Sequence, residues 1–213
     1  MQEYYDQSRA EMLAFVPPET RHLLDIGCGN GAFGALVKQR LGAETWGVEY
    51  VPEAAERART GNDHILCGSI YEPLDLPEGF FDVITMNDVL EHLPESEPVL
   101  DRVKRLLRPG GLFILSLPNV RYYLNVRDLV FRQDWQYQDF GILDRTHLRF
   151  FTQKSARRLL EDNGFTLHSL TPINTGRFSL PYRTFFALTL GYFEDMKCPQ
   201  FAIVASPVSA TPQ

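Results

Sequence analysis

The stretch LLDIGCGNGAFG (residues 23–34) sets Asp25 two residues ahead of three closely spaced glycines, Gly27, Gly29 and Gly31. On its own, GCGNGA (27–32) satisfies the G-x-G-x-x-[G/A] pattern of a strand-to-helix turn that can cradle a pyrophosphate. Glycine lets such a turn reverse sharply and lets a ligand come close to the backbone. Glu49 follows at the spacing suited to gripping ribose hydroxyls. These features fit a dinucleotide and a phosphate-free nucleoside ligand equally. Asp25 separates the two, because its carboxylate at the mouth of a strand repels phosphate in a poorly screened crevice and attracts an ammonium group. S-adenosylmethionine has the matching chemistry: a sulfonium, an α-amino group, a ribose for Glu49 and no phosphate. The plainer reading makes Asp25 a helix cap or a partner of neighbouring amides.

These residues must be positioned by a repeating strand–helix frame. HLLDIG is a short apolar run stopped by glycine, which predicts a buried parallel strand. AFGALVKQRLG has Phe33, Leu36, Val37 and Leu41 at helical spacing and Gly42 at its stop. ETWGVEY (44–50), HILCG (64–68) and FFDVITMN (80–87) predict three more strands, and PEAAERART (52–60) a helix opened by Pro52. Ser96 is expected to cap a helix running to about Leu107, RPGG (108–111) to end it, and LFILSLP to be the fifth strand. TQKSARRLLEDNG (152–164) predicts a capped helix, and FTLHSL and FAIVAS two closing strands. The expected fold class is α/β: a Rossmann-like, seven-stranded, mostly parallel sheet with helices on both faces, in three α/β/α layers. Ligands on such sheets bind beyond the carboxyl ends of the strands.

With 213 residues the chain suits one elaborated domain. Its expected parts are an N-terminal cap helix (1–20), a cofactor-binding core (21–118), a substrate-side lid (119–151), and a closing helix and strands (152–206). A net charge of −6 disfavours general binding to a phosphate backbone, so no nucleic-acid partner is expected. The cysteines Cys28, Cys67 and Cys198 are far apart and read as free thiols in a reducing compartment. His, Cys and carboxylates show no metal-ligand spacing, so no metal is expected. The start, MQEYYDQSRAEML, is unlike a secretion signal, and FFALTLGYF (185–193) is too short to span a bilayer, which predicts a cytoplasmic protein with no integral membrane segment.

In order and spacing, LLDIGCGNGAFG, WGVEY, GSIYEPL, FDVITMNDVLEHL and LLRPGGLFILSLPN resemble class I S-adenosylmethionine-dependent methyltransferases over about residues 20–120. DFGILDRTHLRFFT (139–152) resembles a subgroup of bacterial small-molecule methyltransferases often associated with surface-polysaccharide glycosyltransferases. The resemblance implies that Asp25, Gly27, Cys28 and Gly29 line the methionine end, with Gly31 holding the turn. It implies that Glu49 takes the ribose hydroxyls, Tyr50 lies against the adenine, and Asn87 and Asp88 border the sulfonium and methyl path. Ser69 and Ile70 stand where the family often has an acidic residue meeting the adenine amine, and serine there is a departure. NDVL differs from the Asn/Asp-Pro-Pro-aromatic signature of enzymes that methylate nucleic-acid bases.

If the acceptor is a hydroxyl, a base helps remove its proton. The candidates are His92, His147 and Asp88; His92 has the competing reading of a structural hydrogen bond to a nearby loop. The connection 119–151 leaves the carboxyl end of a central strand and should lean over the site. Its arginines among aromatics suit an anionic or sugar-bearing acceptor, with Arg145 and Arg149 flanking His147. The alternative is that Asp128, Asp134, Asp139 and Asp144 neutralise those arginines. The N-terminal YYDQSRAEML reads as an amphipathic helix; the resemblance implies that it covers the cofactor, with Tyr4, Tyr5 and Arg9 closing over it, and surface packing is the alternative. The aromatic segment 178–193 is expected to pack on the core, with a homodimer contact or a membrane surface as alternatives. The reading overall is methyl transfer to a small-molecule acceptor, an oxygen of a sugar or related metabolite. Its rivals are a non-catalytic S-adenosylmethionine or nucleotide-binding module and a nicotinamide-dependent oxidoreductase.

Overall fold

A computed structural model describes residues 8–176 and 178–208. Seven strands form one sheet in the order β3-β2-β1-β4-β5-β7-β6. They are β1 (His22–Ile26), β2 (Glu44–Glu49), β3 (His64–Cys67), β4 (Phe81–Asn87), β5 (Leu107–Pro118), β6 (Phe165–Ile173) and β7 (Gln200–Pro207). The first five run parallel, while β7 pairs antiparallel with both β5 and β6. The helices are α1 (Ala32–Leu41), α2 (Pro52–Ala58), α3 (Glu97–Leu106), α4 (Tyr123–Arg127), α5 (Gln153–Asp162) and α6 (Leu180–Leu188).

The central strands are apolar on both faces, which is why they read as continuous hydrophobic runs. Leu24, Ile84, Met86, Phe113 and Leu115 pack with α3 and α5 on one side. Their neighbours Leu23, Val83 and Ile114 pack with Phe33, Val37 and Met12 on the other. This alternation follows from the two-residue period of a strand. No helix among the described residues is long and apolar enough to cross a membrane.

Three local expectations are corrected. Ser96 does not cap α3: its side chain turns inward, fully buried, and its hydroxyl has no hydrogen-bond partner. The helix ends at Leu106, just ahead of RPGG as expected, but the fifth strand starts at Leu107 rather than at LFILSLP, so RPGG lies inside β5, where pairing with β4 jumps from Phe81↔Leu107 to Val83↔Leu112. Gly110, at φ 78°, makes this bulge. A Cβ on Gly111 would sit 2.9 Å from the Phe81 carbonyl oxygen. The expected amphipathic cap helix is, in the described part, a short 3₁₀ helix, Ala10–Phe15, entered through Arg9 in the left-handed region and anchored by Met12.

The α5 cap is as expected: Thr152 and Ser155 exchange side-chain-to-backbone hydrogen bonds in a capping box. Residues 119–151 hold α4, a wider π-helical turn (Asp128–Arg132) and irregular chain, closed at its base by a bridge between Asn119 and Phe151. In the aromatic segment, Phe178, Tyr182 and Phe186 pack around Tyr123. Leu188, Leu190 and Tyr192 lie on the surface.

Candidate active site

The glycine turn between β1 and α1 carries positive φ at Gly27, Gly29 and Gly31 (74°, 55° and 76°). A Cβ on Gly27 would lie 2.5 Å from Val89 Cγ2, and one on Gly31 2.3 Å from Asn62 Nδ2. Conformation and space therefore both require glycine at these two positions. Glu49, at the end of β2, is buried and braces the turn, its two oxygens accepting from the Gly29 and Val51 amides at 2.9 Å each. Asp25 is buried behind the turn and accepts from the Thr85 hydroxyl at 2.7 Å. Burial pushes its carboxyl up to about 7; the Thr85 hydrogen bond opposes this and the neighbouring Glu49 charge adds to it. Two buried carboxylates behind one glycine turn favour a cationic ligand over a pyrophosphate.

Cys28 differs from its expected place. Its sulfur packs over Gly47 of β2, where a Cβ would come within 2.7 Å of it, and burial pushes its thiol pKa up. Tyr50 is 71% exposed just beyond β2, open to a flat ligand. The Ser69 hydroxyl accepts from the Tyr71 amide at 3.3 Å. Ile70 is a core residue whose carbonyl accepts from Arg102. At the end of β4, both amide atoms of Asn87 are buried without a hydrogen-bond partner. A donor–acceptor pair in that position suits a polar ligand beside the turn. Acidic pair, glycine cradle and orphaned amide together fit S-adenosylmethionine.

Beyond the strand ends lies a cavity of about 720 Å³, bordered by Arg9, Asp88, Glu91, Asp144, His147 and Gln200. Asp88, at φ 54°, is held in place: its carboxylate accepts from Arg9, from Ser116 Oγ at 2.9 Å and from Gln200 Nε2 at 2.9 Å. With three donors already on it, this carboxylate is poorly placed to take a proton from an acceptor. Arg9 does reach over the site, as expected, and also donates to Ser116 Oγ. Tyr4 and Tyr5 lie outside the described residues.

Residues 119–151 are stitched to the 3₁₀ turn Leu90–His92, because the Leu148 and Arg149 amides donate to the Glu91 carbonyl at 2.9 and 3.1 Å. The stitching brings His147 beside His92, ring centroids 4.7 Å apart, and sets His147 Nε2 3.9 Å from Glu91 Oε1. His147 Nδ1 donates to the Ile142 carbonyl at 3.0 Å. His92 Nδ1 donates to Thr146, both to its carbonyl and to a hydroxyl whose own proton goes to Asp144. Carbonyls only accept, so both imidazoles carry their proton on Nδ1. Burial, and then the neighbouring His147, push the His92 pKa down. Glu91 is fully buried with neither oxygen hydrogen-bonded, and burial, then Asp88, push it well above the ordinary carboxylate range.

The absence of a metal-ligand cluster expected from sequence spacing is corrected here: Glu91, His92 and His147 each bring a ligand atom within 4.8 Å of the others. Glu91 was missed as a site residue because it sits in an otherwise apolar turn. An acid placed among the buried positions of DVLEHL is the signal that could have found it. Arg145 and Arg149 stay outside the cavity, Arg145 paired with Asp139 at 2.6 Å and Arg149 donating to the Pro94 carbonyl at 2.7 Å. Arg127 and Arg132 pair with Asp128, and Arg121 with Asp195 outside the lid.

The family described as "Methyltransferase domain" matches residues 1–170. A trans-aconitate 2-methyltransferase of Methylobacterium radiotolerans is 36% identical over 112 residues, 52% of this chain and 43% of that protein. A ubiquinone biosynthesis O-methyltransferase of Psychrobacter arcticus is 28% identical over 160 residues, 68% of this chain and 59% of that protein. The chain thus spans about half the length of these curated relatives. In fold it is similar to a Haloferax volcanii methyltransferase solved with the Trm112 methyltransferase activator, at a TM-score of 0.70 and 19% identity, covering 100% of this chain and 93% of that one. By its family match, its sheet order and its glycine turn, the chain belongs to the methyltransferase-domain family, in the class I S-adenosylmethionine-dependent fold.

Proposed function

We propose that this chain methylates an oxygen of a small-molecule acceptor, a sugar or related metabolite, held in the cavity under the lid. The observation that carries the reading is the cavity itself: it opens beside Asp88, the residue after the end of β4, and has Glu91 and His147 in its wall. When bound, S-adenosylmethionine supplies a methyl on a sulfonium, a carbon already activated for in-line displacement. Asp25, Glu49 and the glycine turn hold its charged and ribose ends, and Asn87 meets it with the orphaned amide. The Arg9–Asp88–Ser116–Gln200 cluster fixes the floor between cofactor and acceptor.

His147, with its proton pinned on Nδ1, turns a basic Nε2 towards Glu91, and this pair draws the proton from an acceptor hydroxyl. The lid residues Phe140 and Ile142 help exclude water. Support for a small acceptor also comes from the relatives, one named for trans-aconitate and one for ubiquinone biosynthesis. The test is transfer of labelled methyl to a panel of sugars, sugar nucleotides and hydroxy acids. O-methylated product is expected, with His147→Ala losing transfer while S-adenosylhomocysteine still binds. Equal loss of cofactor affinity in His147→Ala and Asp25→Ala would refute this division of roles.

A further inference from the structure

We infer that Glu91, His92 and His147 form a binding site for one divalent transition-metal ion of the Zn²⁺ or Mn²⁺ type, with an open position facing the acceptor cavity. The inference rests on the methyl-transfer reading and deepens it. Glu91 is the independent sign of a ligand: a fully buried carboxylate with neither oxygen hydrogen-bonded among the described residues demands a cation or a proton. The Nε2 of His147 faces it at 3.9 Å, beyond hydrogen-bond reach, so a ring nitrogen and a carboxylate oxygen confront each other across a gap an ion could fill. Two atoms bound to one Zn²⁺ at about 2.1 Å lie no more than about 4.2 Å apart. The three ligand atoms lie within 4.8 Å of one another, so closing on an ion needs less than about 1 Å of movement.

The surroundings match a metal site. His147 donates Nδ1–H to the Ile142 carbonyl, the arrangement that fixes a ligating imidazole and leaves its Nε2 towards Glu91, and His92 likewise donates Nδ1–H to the Thr146 carbonyl. Two imidazoles and a carboxylate suit Zn²⁺, Mn²⁺ or Fe²⁺ better than Mg²⁺, which prefers oxygen ligands and water. Three protein ligands leave a position for the acceptor oxygen, as catalytic zinc sites do. An ion there lowers the pKa of a bound hydroxyl, whose proton then leaves to solvent water. In that form of the reaction Glu91 and His147 hold the ion, and the ion supplies the pull on the proton.

The experiment uses the full chain stripped with a chelator and titrated calorimetrically with Zn²⁺, Mn²⁺ and, for its visible spectrum, Co²⁺. One equivalent is expected to bind. Glu91→Gln and His147→Gln should each weaken it by at least about 100-fold, with thermal melting confirming that each is folded. His168→Ala, a histidine bonded to Ser206 away from the cluster, should bind as the parent does. Absence of stoichiometric binding in a folded chain that still takes up S-adenosylhomocysteine overturns the site, and so does binding unchanged in both cluster variants. Metal binding without methyl transfer to any oxygen acceptor leaves the site standing and refutes the acceptor reading. Equal transfer with and without metal overturns the ion's role in transfer and leaves the acceptor reading intact.

Discussion

Replacing Asp25 by asparagine tests the electrostatics behind the glycine turn. The folded chain holds the Asp25 proton up to about pH 7, against an ordinary value of 3.8. Between those values the native state binds more protons than the unfolded chain, so stability falls as pH rises through that window and levels off above about 7. A gap of about three pH units, at about 1.4 kcal/mol each, bounds the effect at ~4 kcal/mol. Asparagine keeps an oxygen to accept from Thr85 and carries no charge. Only about two of those units lie above pH 5, so urea unfolding at pH 5 and pH 8 should show the parent losing up to ~3 kcal/mol more than Asp25→Asn over that interval. On the proposed reading the same ionisation serves cofactor binding. Affinity of the parent for S-adenosylhomocysteine should fall about tenfold per pH unit below 7, while that of Asp25→Asn is weak and flat. Identical pH profiles of stability in the two proteins would refute the reasoning.

Gly27→Ala forces a side chain into φ 74° and against Val89 at 2.5 Å, so it should destabilise by about 1–3 kcal/mol in thermal melts and reduce cofactor affinity in calorimetry. Ser96→Ala removes a buried hydroxyl that has no partner, so urea unfolding should find it neutral or stabilising by up to ~1 kcal/mol. A true cap would lose about 1 kcal/mol on the same change. Thr152→Ala should lose about 1 kcal/mol through its capping box while leaving cofactor affinity unchanged. Arg9→Met leaves the Asp88 carboxylate without its charge partner, so it should lower the melting temperature and impair methyl transfer more than cofactor binding.

What was legible in the sequence was local. Apolar runs closed by glycine marked the strands, and the helices between them announced their starts and stops, so sheet type and ligand edge followed. The misreadings came where one signal has two structural uses. Pro-Gly-Gly follows the end of α3 and also lies inside β5, and only the pairing of Phe81 with Leu107 shows that the strand begins ahead of it. Serine before a helix caps it or turns inward, and the packing around Ser96 decided that. The acceptor side was hidden for a different reason. Glu91 and His147 lie far apart in the chain and meet only because the Leu148 and Arg149 amides fasten the lid to the Glu91 carbonyl. Sequence spacing holds no trace of that contact. Arg145 and Arg149, by contrast, looked like acceptor ligands through composition, and found their partners in Asp139 and a backbone carbonyl.

The central claim is that the turn after β1 takes S-adenosylmethionine and carries out methyl transfer chemistry. Calorimetric titration with S-adenosylhomocysteine and, separately, with NAD tests it most directly. The account predicts micromolar binding of the first and none of the second, with the first lost in Asp25→Ala. Binding of NAD alone would contradict it, because a turn backed by two buried carboxylates would then be holding a pyrophosphate.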